Sequence, residues 1–475
     1  MAETLTPDIC VIGAGSGGLT VAAAAASFGV SVVLIEKGKM GGDCLNYGCV
    51  PSKALLAAAK QAQAMRTGAK FGVSPVEPQV NFKAVMAHVK EVIAAIAPND
   101  SVERFTALGV RVVQAEAKFV DKRTVVAGDI TVKARRFVIA TGSSAFVPPI
   151  PGLDKVDFLT NETIFEEEKL AGHLVIIGGG PIGMEMAQAH RRLGAEVTVI
   201  EAFSALGKDD PETAAVVLAA LRSEGIAILD NTKVVSVEKR GKSGVRVHVE
   251  GANGAAIVDG TRLLVAAGRS ANVTGLDLEK ARIVYDRRGI KTGRNMKSSN
   301  RRVYAIGDVA GSLQFTHMAG YHAGLVVRSI LFRLPVRENR AIIPWATFTE
   351  PELAQAGLTE AEMKKSGKPF HVLRWPFAEN DRAEAEHKTA GLIKIITDNK
   401  GKILGVSIGG HGAGEMINMW ALALSKGMNV RDIAGYVAPY PTMAEAGKRA
   451  AITYFAPLAR SPRLRKLIGF LRMFG

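Results

Sequence analysis

DICVIGAGSGGLT, Asp8 to Thr20, is an apolar run that breaks into three spaced glycines, Gly13, Gly15 and Gly18. An Ala-rich stretch follows from about Val21 to Ser27, and then a second apolar run, SVVLIE, ends on Glu36. The pattern predicts strand, tight turn, buried helix, strand. The first glycine permits the turn, the second lets backbone approach a pyrophosphate at the helix N-terminus, and the third lets helix and strand pack closely. Glu36 stands 23 positions after Gly13, where a carboxylate can accept hydrogen bonds from ribose hydroxyls.

One such fingerprint is weak evidence, but here it recurs. HLVIIGGGPIGMEMAQAHRRLGAEVTVIE repeats the order with Gly178, Gly180 and Gly183, and Glu201 is again 23 positions past the first glycine. Two fingerprints imply two dinucleotides on one chain, one feeding electrons to the other. Glu201 favours NADH, because a carboxylate accepts from the adenosine ribose and repels a 2'-phosphate. The following AFSALG supplies no Arg to hold that phosphate, and Lys208 is the nearest cation.

A length of 475 residues allows two to four domains. The net charge of +15 raises the question of nucleic acid or an acidic partner. The basic residues are dispersed, without aromatic interleaving or a nucleic-acid motif, so no nucleic-acid binding is expected. MAETLTPDICVIGAG enters a strand pattern with no basic or apolar leader, which predicts a cytoplasmic protein, and the Ala-rich run is too short for a membrane span.

The chain has three cysteines, too few for a disulfide scaffold of the secreted kind. Cys10 lies in the apolar run ICVIG, whereas Cys44 and Cys49 share GGDCLNYGCVPSK, Gly41 to Lys53. A zinc half-site would need a second CxxC or a suitably spaced Cys/His pair, and the sequence offers neither; no metal ligands are assigned. Pro51 and the Ala/Leu run after it put Cys49 at or near a helix start, where the positive dipole end stabilises a thiolate. Lys53 is four residues on, on the same helical face.

Further glycines end apolar runs at Thr141–Gly142, Gly268–Arg269 and Gly307–Asp308. In this order, and with a loop close to the pattern GGTCxNxGCxPSK, residues 8 to 455 resemble the FAD-dependent pyridine nucleotide-disulfide oxidoreductases, the class I group with lipoamide dehydrogenase and mercuric reductase. The resemblance implies an α/β protein of two Rossmann-like dinucleotide-binding domains plus a C-terminal α+β dimerisation domain. Its segments would be 1-150 for the first part of the FAD domain, 151-271 for the NAD domain, 272-343 for the FAD return segment and 344-460 for the interface domain of a homodimer. FAD would take the first fingerprint with Glu36, Gly42, Ala117, Thr141, Gly142 and Asp308, while Met318 and Ala319 begin a helix facing the flavin. NAD(H) would take the second fingerprint with Glu201, Val234 and Gly268. Cys44 and Cys49 would form the redox disulfide, with Cys49 facing the flavin, Lys53 paired with Glu185 beside flavin N5, and Cys44 as interchange thiol.

Three departures qualify that picture. Asp43 replaces the usual Thr, and its carboxylate either disfavours the Cys44 thiolate or points to solvent or cofactor backbone. In VAPYPTMAEAGKRAA the family pattern HxHPTxxE would place an acid/base His where Tyr440 stands, with Glu445 correctly spaced and Ala438 in the earlier His position. A Tyr there resembles mercuric reductase, but the vicinal cysteine pair of that enzyme near its C-terminus is missing. His317 is expected to pack, and His411 in GGHGAG to lie in a turn.

The leading expectation is a dihydrolipoamide dehydrogenase-like flavoenzyme acting on a lipoyl-type or small-molecule acceptor. A metal-ion or quinone reductase is the alternative, and a flavoprotein subunit docking on a multienzyme complex a third. In the tail, 461-475, Leu464, Leu467, Ile468 and Leu471 follow helical spacing among Arg463, Arg465, Lys466 and Arg472. This predicts a basic amphipathic helix that packs on its own dimer or on a membrane surface or partner.

Overall fold

The computed structural model describes residues 3–242 and 244–474. The first fingerprint folds as strand β1 (Ile9–Ile12), helix α1 (Ser16–Ser27) and strand β2 (Val32–Glu36). With β3 (Val110–Gln114), β4 (Arg136–Ile139) and the later strand Val303–Ala305 they make a parallel sheet ordered Val303–Ala305, β4, β1, β2, β3. Strands in the middle of such a sheet are covered on both faces, which explains why ICVI is buried throughout. Val21, Ala22 and Ala25 of α1 are buried, as the Ala-rich run predicts. Cys10 is fully buried in the core between this sheet and the segment around Leu276, Leu278 and Ile283.

Helix α2 (Cys49–Arg66) leaves the redox loop and packs against α3 (Pro181–Arg192), the helix of the second fingerprint. Ala54, Leu55 and Ala59 share one core with Met184, Ala187 and Leu193, so burial of two apolar faces brings residues far apart in sequence together. The second fingerprint adds β5 (His173–Ile177), β6 (Glu196–Ile200), β7 (Ala227–Leu229) and β8 (Arg262–Val265), a parallel sheet ordered β7, β6, β5, β8. The two turns match in detail. Gly13 donates to Ile35 O at 2.8 Å and Gly178 to Ile200 O at 2.9 Å. Both glycines have positive φ, +103° and +116°, and a Cβ on either would strike the carbonyl ending a neighbouring strand, Ala140 or Ala266.

Helix α4 (Thr316–Leu331) crosses α1 and carries the chain out of the first sheet. From Pro344 the chain forms an antiparallel sheet ordered Pro344–Thr347, Glu352–Gly357, Ile403–Gly410, Leu392–Thr397, His371–Pro376. Helix Ala413–Lys426 covers it through Ile417, Trp420 and Ala423. The tail forms α5 (Pro462–Leu471), which buries no residue. None of the described helices is long and apolar enough to cross a membrane.

Candidate active site

A cavity of 1790 Å³ runs between the two parallel sheets and the start of the antiparallel one. Both glycine turns open into it through Gly13, Gly15, Gly178 and Gly180, and both strand-end acids, Glu36 and Glu201, line it. Each acid is tied to its own turn: Glu36 accepts from Ala14 N–H at 2.6 Å and Gly38 N–H at 2.7 Å, and Glu201 from Gly179 N–H at 2.7 Å and Phe203 N–H at 2.9 Å. Gly42, Asp43, Ala117, Thr141, Gly142, Gly268, Asp308 and Ala319 lie in the same wall.

Six expected residues lie outside the lining. Gly18 and Gly183 sit beneath it, where a Cβ would strike the carbonyl of Gly13 or Gly178, the close helix-to-strand approach that the third glycine provides. Met318 is fully buried behind Ala319 at the start of α4. Val234 packs in the core with Val237 and Val247. Tyr440 and Glu445 lie in the C-terminal part of the chain that carries the antiparallel sheet, and neither reaches the cavity wall.

The two thiols meet at the centre of the cavity. Gly48 precedes α2, so Cys49 is its first helical residue, with the positive end of the dipole at its sulfur. The thiols of Cys44 and Cys49 are free and close enough for each to shift the other's titration. The Cys44 S–H donates to Cys49, and together with the Thr316 hydroxyl and the Lys53 ammonium it brings Cys49 down to about 6, against burial and the Glu185 carboxylate. Cys44 moves the opposite way, because it donates to its neighbour and is buried beside that negative charge. The pair therefore holds one thiolate, on Cys49, and one thiol, on Cys44. Thr316 Oγ1 lies 3.5 Å from Cys49 Sγ.

Packing of α2 on α3 sets Lys53 Nζ 2.7 Å from Glu185 Oε2. Glu185 is buried, and its other oxygen accepts from Phe348 N–H at 2.9 Å, while the Phe348 ring lies 4.6 Å from Lys53 Nζ. This contact joins both nucleotide folds and the antiparallel sheet at one charged pair.

Asp43 is half-buried in the cavity wall and paired there. Arg269 Nη2 lies 2.9 Å from its Oδ1, and Asn161 Nδ2 donates to the same oxygen at 3.1 Å. Arg269 also donates to Ser143 Oγ at 2.7 Å and Ser143 O at 2.8 Å, and Ser143 donates to Asp308. With its charge met by Arg269, Asp43 is not what raises Cys44; Cys49 and burial do that. Arg269, Asn161, Ser143, Thr316 and Phe348 were not assigned from sequence. Arg269 follows a strand-end glycine, a signal that could have found it, whereas nothing local marks Asn161 or Thr316.

Tyr440 is 68% exposed and donates to Asp381 at 2.6 Å, which pushes its pKa further up. Glu445 pairs with Arg449 at 3.1 Å instead of orienting Tyr440. His317 donates from Nε2 to Pro344 O at 2.7 Å and stacks on Phe315, a packing arrangement. His411 lies 3.8 Å from Glu350 and from Glu386, away from the thiols.

The walls fit two dinucleotides. Gly13, Gly18, Gly178 and Gly183 leave no room for a side chain, a Cβ on Gly42 would come within 2.7 Å of Gly15 Cα, and the first helical bond of α4, Ala319 to Phe315, leaves the N–H groups before it for an anion. Two nucleotide folds closed over a dithiol define a flavin- and pyridine-nucleotide-dependent disulfide oxidoreductase. The family model described as pyridine nucleotide-disulphide oxidoreductase matches residues 7–323, and its dimerisation domain matches residues 343–451. The chain belongs to this family of FAD- and NAD(P)H-dependent enzymes, and the dimerisation domain supports a homodimer. It is 35% identical over 462 residues to a mercuric reductase of Streptomyces lividans, covering 95% of this chain and 97% of that protein. It is 36% identical over 468 residues to a dihydrolipoyl dehydrogenase of Thermus scotoductus, covering 94% and 97%. The Cu(II) complex of the HOCl-induced flavoprotein disulfide reductase RclA from Escherichia coli superposes with a TM-score of 0.84 at 27% identity, covering 94% of this chain and 99% of that one.

Proposed function

We propose that this enzyme works outward, oxidising NADH and delivering two electrons through Cys49 and Cys44 to a thiol-seeking acceptor, with a soft metal ion as the leading class. Bound FAD supplies the two-electron relay between the pyridine nucleotide and the thiols. Glu201 selects the nucleotide by accepting from its ribose. Lys53, held by Glu185, keeps a positive charge four residues from Cys49 and stabilises the thiolate there. Cys44 keeps the proton until an acceptor arrives, and then gives it up as its sulfur bonds the incoming centre.

The observation that carries the direction is Tyr440. Dihydrolipoamide oxidation requires a base to deprotonate an incoming dithiol. A phenol whose pKa is already near 10, raised further by Asp381, is a poor one. Tyr440 of one subunit, acting on Cys44 of its partner as the family pattern implies, can donate a hydrogen bond to a developing thiolate, and a soft cation needs no base beyond solvent. A lipoyl-type disulfide is the second reading, favoured by Glu201 and by the dihydrolipoyl dehydrogenase relative. Steady-state NADH oxidation against Hg(II), Cu(II), lipoamide, glutathione disulfide and quinones separates them: fastest turnover with a soft metal ion supports the first reading, and fastest turnover with lipoamide the second.

A further inference from the structure

The tail is a helix with nothing on its apolar side. In α5 and the turn after it, Leu467, Ile468, Phe470, Leu471, Met473 and Phe474 are between 49% and 77% exposed. Arg465 Nε donates to Ala459 O at 3.1 Å, which ties the helix to the turn before it. At helical spacing Leu464, Leu467, Ile468 and Leu471 form one stripe, with Lys466 opposite it and Arg463, Arg465 and Arg472 on its flanks. No Asp or Glu follows Glu445 in the sequence, while Lys448, Arg449 and Arg460 add to the positive charge.

Charge decides what covers this face. A second copy of this tail brings the same cations and no acidic residue after Glu445 to meet them. The matched dimerisation domain also ends at residue 451, before the helix begins. An anionic bilayer complements both sides at once: acyl chains take the apolar stripe and headgroups take the cations. The helix is too short to span and would lie in the plane of the interface. We propose that α5 docks the enzyme reversibly on an anionic lipid surface.

The test is flotation of the FAD-loaded full-length protein with vesicles of phosphatidylglycerol and phosphatidylcholine, and with phosphatidylcholine alone. Binding is expected only to the anionic vesicles and is expected to weaken with salt. Loss of each cation in an Arg463→Gln, Arg465→Gln, Lys466→Gln series should lower the partition coefficient by about fivefold, and Leu467→Ser with Leu471→Ser should lower it comparably. Deleting residues 461–475 should abolish binding and leave NADH oxidation and the sedimentation coefficient unchanged. Equal binding to neutral vesicles, or full binding without the tail, would overturn the proposal. So would conversion of dimer to monomer on deletion, since the helix would then be covering a second copy.

Discussion

Arg269 holds Asp43, the residue before Cys44, at 2.9 Å and reaches Ser143 with the same guanidinium. The redox loop is thus fastened across the cavity to the segment that leaves the second nucleotide fold. Arg269→Met would leave Asp43 and Ser143 without their shared donor, whereas Asp43→Thr leaves Arg269 with Ser143. Arg269→Met should therefore destabilise by about 1–3 kcal/mol and Asp43→Thr by less. Urea unfolding of both variants checks this, and equal losses would contradict it.

A thiolate at Cys49 facing the flavin should give a charge-transfer absorption band on two-electron reduction. Cys49→Ser should abolish it, and Cys44→Ser should show it without reduction. The thiolate exists above its pKa, so the band should fade as pH drops through about 6. Cys44→Ala removes the main donor and should move that midpoint up. Thr316→Val should move it up by about half a unit to one unit. A band retained by Cys49→Ser would reverse the assignment of the thiols.

Lys53→Met would leave the buried Glu185 carboxylate without its counter-charge and Cys49 without a nearby cation. Reduction by NADH in stopped-flow should slow by about 10²-fold or more. Glu185→Gln, which keeps the contact to Phe348 N–H, should cost less in stability than Lys53→Met.

Glu201 ends its strand beside the Gly179 turn with no Arg nearby to replace it. The unaltered enzyme should prefer NADH by kcat/KM, and Glu201→Arg should shift the ratio toward NADPH by about tenfold or more. An unaltered enzyme that prefers NADPH would contradict this reading.

The parts legible in the sequence were those written in local spacing. Three glycines and an acid at fixed offsets specify a turn, a helix N-terminus and a strand end, and α1, α3 and both parallel sheets follow from that. Cys49 at a helix start was legible for the same reason, from Pro51. The contacts of Asp43 were not, because Arg269 and Asn161 reach it from 226 and 118 residues away through packing of separate folds. Thr316 is similar: its place at the head of α4 could be read, but its approach to Cys49 depends on how α4 meets α2. Asp381, the partner of Tyr440, had no signal in the spacing, which pointed to Glu445 instead.

The proposed outward flow sends electrons out through Cys44, with Tyr440 giving no support to the reverse traffic. It is tested most directly by measuring both directions at about pH 7 in one preparation, NADH oxidation with Hg(II) or Cu(II) and dihydrolipoamide oxidation by NAD⁺. The account predicts metal-dependent NADH oxidation faster than dihydrolipoamide oxidation by about 10²-fold or more, the range that a missing general base removes. It also predicts a gain in dihydrolipoamide oxidation on Tyr440→His. Rapid dihydrolipoamide oxidation by the unaltered enzyme, unchanged in Tyr440→Phe, would contradict it.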